Sequence, residues 1–213
     1  MKKRMWRHGS LLVLLLTVLT VTGCSGGSKT EPEPEVEEPV YTVSIGDTQI
    51  RVGETKVQAL LDAGMNVTWS EMTSDNQIQE YTVDPEMELE ANSYYTGGSV
   101  WITESTFAHV SFATEDESVK LGDAVIARME FNLSFREEDK EAQAEIAFDG
   151  VPVTEMTREK AGELYPDFTG DEVMWFSTGL KNYDYGLYFD SSSGGLMKFS
   201  AEYRYDVDWS GGN

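Results

Sequence analysis

Few residues in this chain have the chemistry of a catalyst. Cysteine occurs once, at Cys24, and histidine twice, at His8 and His109. A lone cysteine permits no disulfide within the chain, and once the N-terminal address described below is removed His109 has no second histidine or free cysteine with which to share a metal ion. His109 falls in an alternating stretch, on one side with Phe107, Ser111 and Ala113. Serines are plentiful, but no nucleophile elbow or related motif places one for a Ser–His–Asp triad. Carboxylates number 38, so some pair at glycosidase spacing arises by chance and carries no information. The acidic runs at 167–172 and 206–208 lack the twelve-residue loop, with its glycine and terminal glutamate, that holds calcium. These residue types imply no catalytic residue, no metal and no organic cofactor. The alternative is a carboxylate-dependent cell-wall or glycan hydrolase.

Aromatic residues are the more promising material. Trp101, Trp175, Tyr183, Tyr185, Tyr188, Tyr203, Tyr205 and Trp209 all stand in alternating stretches. Most such rings belong to a core. Alternation sets Tyr188 opposite Tyr183 and Tyr185, so Tyr188 is expected outside. Trp101 and Tyr188 are the candidate binding residues, since an exposed aromatic row suits a peptide or glycan.

The N-terminus carries an address. Lys2, Lys3, Arg4 and Arg7 precede an apolar run centred on 11–16, which is too short to span a bilayer and has the form of a signal peptide. It ends in Val21-Thr22-Gly23-Cys24. That boundary resembles the lipobox of bacterial lipoproteins, with Val21 where leucine is commoner. The resemblance implies a diacylglyceryl group on the Cys24 sulfur, cleavage after Gly23, and anchoring to the extracytoplasmic face of a cell membrane. More than one acyl chain is needed for stable attachment, which the resemblance supplies. A Gram-positive-type envelope is favoured over a periplasm.

Residues 1–23 contain four of the 16 Lys and Arg and none of the 38 acids, leaving 12 against 38, a mature net charge of −26. Such a chain repels nucleic acid and anionic lipid head groups, and it attracts basic envelope proteins or peptides. Residues 24–40, the cysteine followed by SGGSKTEPEPEVEEPV, read as a tether. Glycine and serine bend freely, while the Glu-Pro alternation is stiff and self-repelling.

The rest must position the candidate residues, and its pattern is that of a sheet-rich α+β head. Residues 41–52 read as a hairpin turning at Gly46-Asp47. Thr55 with Gln58 forms a capping-box pattern for a helix that ends at Gly64. In 125–135, Val125, Ala127, Met129, Phe131, Leu133 and Phe135 share one side, and Ile126, Arg128, Glu130, Asn132 and Ser134 the other. The charged stretch 136–143 reads as a junction. Beyond it the plan restarts, with a strand at Ala144 to Phe148 and an Asp149-Gly150 turn. A helix capped by Thr157 and ended by Pro166 follows, then three strands. The expected organisation is two tandem strand–helix–meander repeats, 41–135 and 144–213.

The segments VGETKVQALLDAGM at 52–65 and VTEMTREKAGELY at 153–165 carry a second resemblance. Short helices on antiparallel meanders, in tandem, are similar to the beta-lactamase-inhibitory-protein fold and to small accessory lipoproteins of outer-membrane barrel assembly. That likeness implies the fold and a protein-binding habit, with no catalytic residue carried over. The expected function is a membrane-anchored, non-enzymatic module that binds a protein, peptide or glycan.

Overall fold

The structure, a computed structural model, describes residues 39–134, 136–178 and 183–205. Cys24, most of the tether, Phe135 and Trp209 lie outside the described residues. Strands β1 (Val43–Ile45) and β2 (Thr48–Ile50) form the expected hairpin, and α1 (Val57–Asp62) follows. Next come β3 (Asn66–Met72), β4 (Ile78–Thr82), β5 (Glu88–Leu89), β6 (Tyr94–Trp101), β7 (Phe107–Ala113), β8 (Val119–Lys120) and β9 (Val125–Asn132). A 3-10 turn at Glu137–Asp139 leads into α2 (Lys140–Ala144). The chain then forms β10 (Ile146–Phe148), β11 (Val151–Pro152), α3 (Arg158–Leu164), β12 (Thr169–Gly170), β13 (Val173–Ser177), β14 (Tyr183–Phe189) and β15 (Leu196–Tyr203).

Antiparallel sheet dominates. A nine-stranded sheet runs β12-β13-β14-β15-β9-β7-β6-β3-β4, and a four-stranded sheet runs β11-β10-β1-β2. A small ribbon pairs β5 with β8. The four-stranded sheet covers one face of the large one. Phe148 of β10 lies 5.8 Å from Phe199 of β15, and Tyr41 lies 5.1 Å from Tyr185 of β14. Val100, Ala108, Phe131, Phe199 and Leu187 cross the buried face in register and are buried, as is Met174 beside Leu187. Among the described residues, no helix is long and apolar enough to cross a membrane.

Each helix is short and is held by packing rather than by its own length. In α1, Val57 and Leu60 are buried and Gly64 ends the helix at φ +78°, a backbone angle that favours glycine. Its start differs from the capping-box expectation. Thr55 Oγ1 accepts a hydrogen bond from Arg51 N at 2.9 Å, so that hydroxyl closes the preceding turn, and Lys56 stands at the N-cap without a side-chain capping bond. In α3 the expected cap is present: Thr157 Oγ1 accepts from Lys160 N at 3.2 Å. The polar stretch 136–143 is helical, with Gln143 buried.

Three strands depart from simple alternation at bulges, the first being β6, where Tyr95 pairs with Phe112 and Gly98 with Val110. In β9, Phe112 pairs with Ile126 and Ser111 with Arg128, so Ala127 is the extra residue. That turns Ile126 into the core, fully buried, where unbroken alternation would leave it with Arg128 and Glu130. In β15, Phe189 pairs with Leu196 and Tyr188 with Lys198, which makes Met197 the extra residue. Leu196 is consequently buried and Met197 is exposed.

Candidate functional site

The face of the nine-stranded sheet turned away from the four-stranded one carries the polar and aromatic side chains. Strand pairing lines up one row across all nine strands: Thr82, Thr68, Ser99, His109, Glu130, Ser200, Gly186, Trp175 and Thr169. The adjacent row holds Asn66, Trp101 and Phe107 at one end and Asn132, Lys198, Tyr188 and Val173 at the other. Trp101 and Tyr188, the two residues singled out from the sequence, therefore share this face. Four strand steps separate them, roughly 19 Å at sheet spacing.

Each belongs to an aromatic pair. The Trp101 ring lies 4.3 Å from Phe107, which in turn meets His109 edge-on at 4.9 Å. Trp101 Nε1 donates to Thr68 Oγ1 at 2.9 Å and to Glu80 Oε1 at 2.8 Å, which holds its ring in place. At the other end Trp175 meets Tyr188 edge-on at 5.3 Å, and Lys198 Nζ sits 4.9 Å from the Tyr188 ring centre, within cation–π range. Trp175 is 46% exposed. Gly186 lies between these rings, and a Cβ there would stand 3.0 Å from Tyr188 and 3.1 Å from Trp175. The absence of a side chain at 186 is what lets both rings lie against the sheet.

Between the aromatic pairs runs a charged strip. Arg128 Nη2 donates to Glu130 Oε2 at 2.5 Å and Lys198 Nζ to Glu130 Oε1 at 3.0 Å, while Glu202 lies 3.8 Å from Arg128. Partial burial pushes the Glu130 carboxyl up, but the hydrogen bond from Lys198 and the charge of Arg128 outweigh it, and the net direction is down. Glu130 is thus held ionised, a poor state for a general acid. Tyr94 is pushed up by burial, against a lowering bond to Ser111. His109 is exposed and stands directly across from Glu130 on the neighbouring strand. Among the described residues, no group of three His, Cys, Asp or Glu side chains is placed to hold a metal.

Sequence alternation identified Tyr188 as outward-facing. It missed Trp175 and Phe107 as members of the same face. The signal was present in the pairing of Trp175 with Gly186, which only the register reveals. No known protein family, curated protein or solved structure matches this chain.

Proposed function

We propose that this protein is a non-enzymatic binding module, tethered to the outer side of a cell membrane by lipid on Cys24, whose open sheet face takes a protein, peptide or glycan. The observation that carries the reading is the arrangement on that face: two aromatic pairs, Trp101–Phe107 and Trp175–Tyr188, flanking an ion-paired strip. Aromatic rings with a polar centre give large contact area at low entropic cost. The N-terminal signal and the acidic tether support the location. A photo-crosslinking residue at 101 or 188 should capture the same envelope component, and one at Glu163, on the exposed side of α3, should not. Turnover of peptidoglycan or glycan that is lost in Glu130→Gln would replace this reading with the hydrolase one.

A tandem duplication of the head is part of the same proposal, and four correspondences support it. Hairpin β1–β2 and hairpin β10–β11 have the same register, with Ile45 opposite Thr48 in one and Phe148 opposite Val151 in the other. The two hairpins also pair with each other about Ser44 and Ala147, with reciprocal bonds from Gly46 N to Glu145 O and from Asp149 N to Thr42 O, both 2.7 Å. Before each helix the chain bridges to the last strand of its own half. Val57 N bonds Ala124 O and Ile126 N bonds Thr55 O, just as Arg158 N bonds Gly194 O and Leu196 N bonds Met156 O. The bulges at Ala127 and Met197 occupy matching places one residue further on, and the two bulged strands pair antiparallel about Glu130 and Ser200.

A further inference from the structure

We propose that the edge strand β4 is a docking edge for an extended, basic–apolar segment of a partner protein, which would add to the large sheet as a tenth strand. This backbone edge borders the open face, which Glu80 reaches through its bond to Trp101, and the proposal does not rest on that face being occupied.

β4 is the terminal strand of the nine-stranded sheet and pairs only with β3. Val83 N bonds Val67 O and Thr73 N bonds Gln77 O on either side of the ladder. Hydrogen-bonded and non-bonded pairs alternate in an antiparallel hairpin, so Ile78, Glu80 and Thr82 turn their N–H and C=O groups outward. All five β4 residues are exposed. Such an edge is usually shortened, bulged or loaded with lysine to stop further pairing. Here it is regular, and none of its residues is lysine or proline.

Apolar surface gathers at the same place. Of the seven exposed large hydrophobic residues among the described ones, Met72, Ile78, Tyr81 and Met87 belong to this hairpin and the loop after it. A hollow of about 280 Å³ is lined by Trp69, Tyr81, Val83, Met87 and Leu121, together with Glu71 and Asp84.

Charge selects the occupant. Between Lys56 and Lys120 the chain contains twelve Asp and Glu and no Lys or Arg. Of the two cations that bound this stretch, Lys120 is paired with Glu86 and Lys56 with Asp123. The hairpin that forms the edge, with Glu71, Asp75, Glu80 and Asp84, carries no Lys or Arg of its own. A second copy of this chain would bring the same hairpin acids, Glu71, Asp75, Glu80 and Asp84, against it, which opposes self-pairing. A partner strand would alternate. Its residue across from Glu80 would be Lys or Arg, and those across from Gln79 and Tyr81 would be apolar and face the hollow.

The test uses the full chain in detergent with a ten-residue peptide of alternating lysine and valine. Hydrogen exchange over 78–82 should slow at least tenfold on binding. Thr82→Pro removes an outward N–H without touching the ladder to β3, and it should weaken binding tenfold or more. Glu71→Lys should weaken it severalfold, and an alternating glutamate–valine peptide should not bind. Equal binding of a lysine–valine peptide with alternate amides N-methylated would overturn the proposal, since charge alone would then explain it. Protection confined to 99–109 and 175–188 would also overturn it, by moving the peptide to the open face. Edge protection that grows with protein concentration in the absence of peptide would make the occupant a second copy instead. Crosslinking from 188, which lies on β14 toward the far end of the sheet from β4, reads the open face independently of these outcomes.

Discussion

Phe148→Ala should loosen both sheets at once. The ring is fully buried. Its centroid lies 5.5 Å from Tyr165, 5.8 Å from Tyr41, 6.0 Å from Tyr185 and 5.8 Å from Phe199, so it joins the four-stranded sheet to α3 and to the two adjacent strands β14 and β15. Removing a buried phenylalanine costs roughly 3–5 kcal/mol, and the lost edge-to-face contacts place this site toward the upper part of that range. In a domain of this size each kcal/mol lowers Tm by about 2–4 °C, so a fall of roughly 6–20 °C is expected. The assay is thermal unfolding followed by fluorescence in two backgrounds, one keeping only Trp101 and the other only Trp175. Trp101 lies on β6 and Trp175 on β13, toward opposite ends of a sheet whose middle is the β9–β15 pair. Continuous hydrogen bonding across that pair requires both probes to report the same lowered midpoint. A Trp175 transition that moves while the Trp101 transition stays at the wild-type temperature would refute the reasoning, because the two halves would then unfold separately.

Other expectations are equally direct. Asp190 Oδ1 accepts from Ser192 N, Ser193 N and both hydroxyls, and the Ser192 and Ser193 bonds pull its carboxyl down to about 2. A lowered folded-state value contributes stability that is complete above the unfolded value near ~3.9 and is lost as pH falls through about 2. Acid titration of Asp190→Asn should therefore lack that component of the loss. Deleting residues 25–38 should leave Tm within a degree or two, whereas also removing Tyr41, whose N donates to Tyr185 Oη at 3.1 Å and whose ring meets five others, should lower it by several degrees in the same scan. Cys24→Ala should shift the protein from the membrane to the soluble fraction, or leave it unprocessed, on fractionation and mass analysis.

The sheet-rich α+β character was legible because the ends of β14 and much of β9 and β15 alternate, and because Thr157 and Gly64 mark helix ends with specific chemistry. The bulges were not legible. Nothing in the types of Ala127 or Met197 marks them as extra residues, since the bulge is defined by a partner strand far away in sequence. The helical state of 136–144 was hidden for a different reason. Lysine, glutamate, alanine and glutamine favour helix, but a five-residue helix with one buried side chain leaves no apolar period to detect. The candidate site was half legible. Alternation says which side of a strand Tyr188 occupies, while only the order β13-β14-β15-β9-β7-β6 places it on the same face as Trp101.

The pairing of β9 with β15 also bears on when this head acquires its structure. The central seam of the large sheet joins residues 128–132 to residues 198–202, and the small sheet joins residue 43 to residue 148. The small sheet waits for residue 152 and the large one for β15, the last described strand, and a fold dominated by such distant contacts forms slowly. On the proposed export reading, the chain crosses a membrane as an extended thread. Under that reading late closure would keep it threadable: the N-terminal meander would emerge first with only the β15 side of β9 unpaired, and the sheet would close once the C-terminal strand had followed it across.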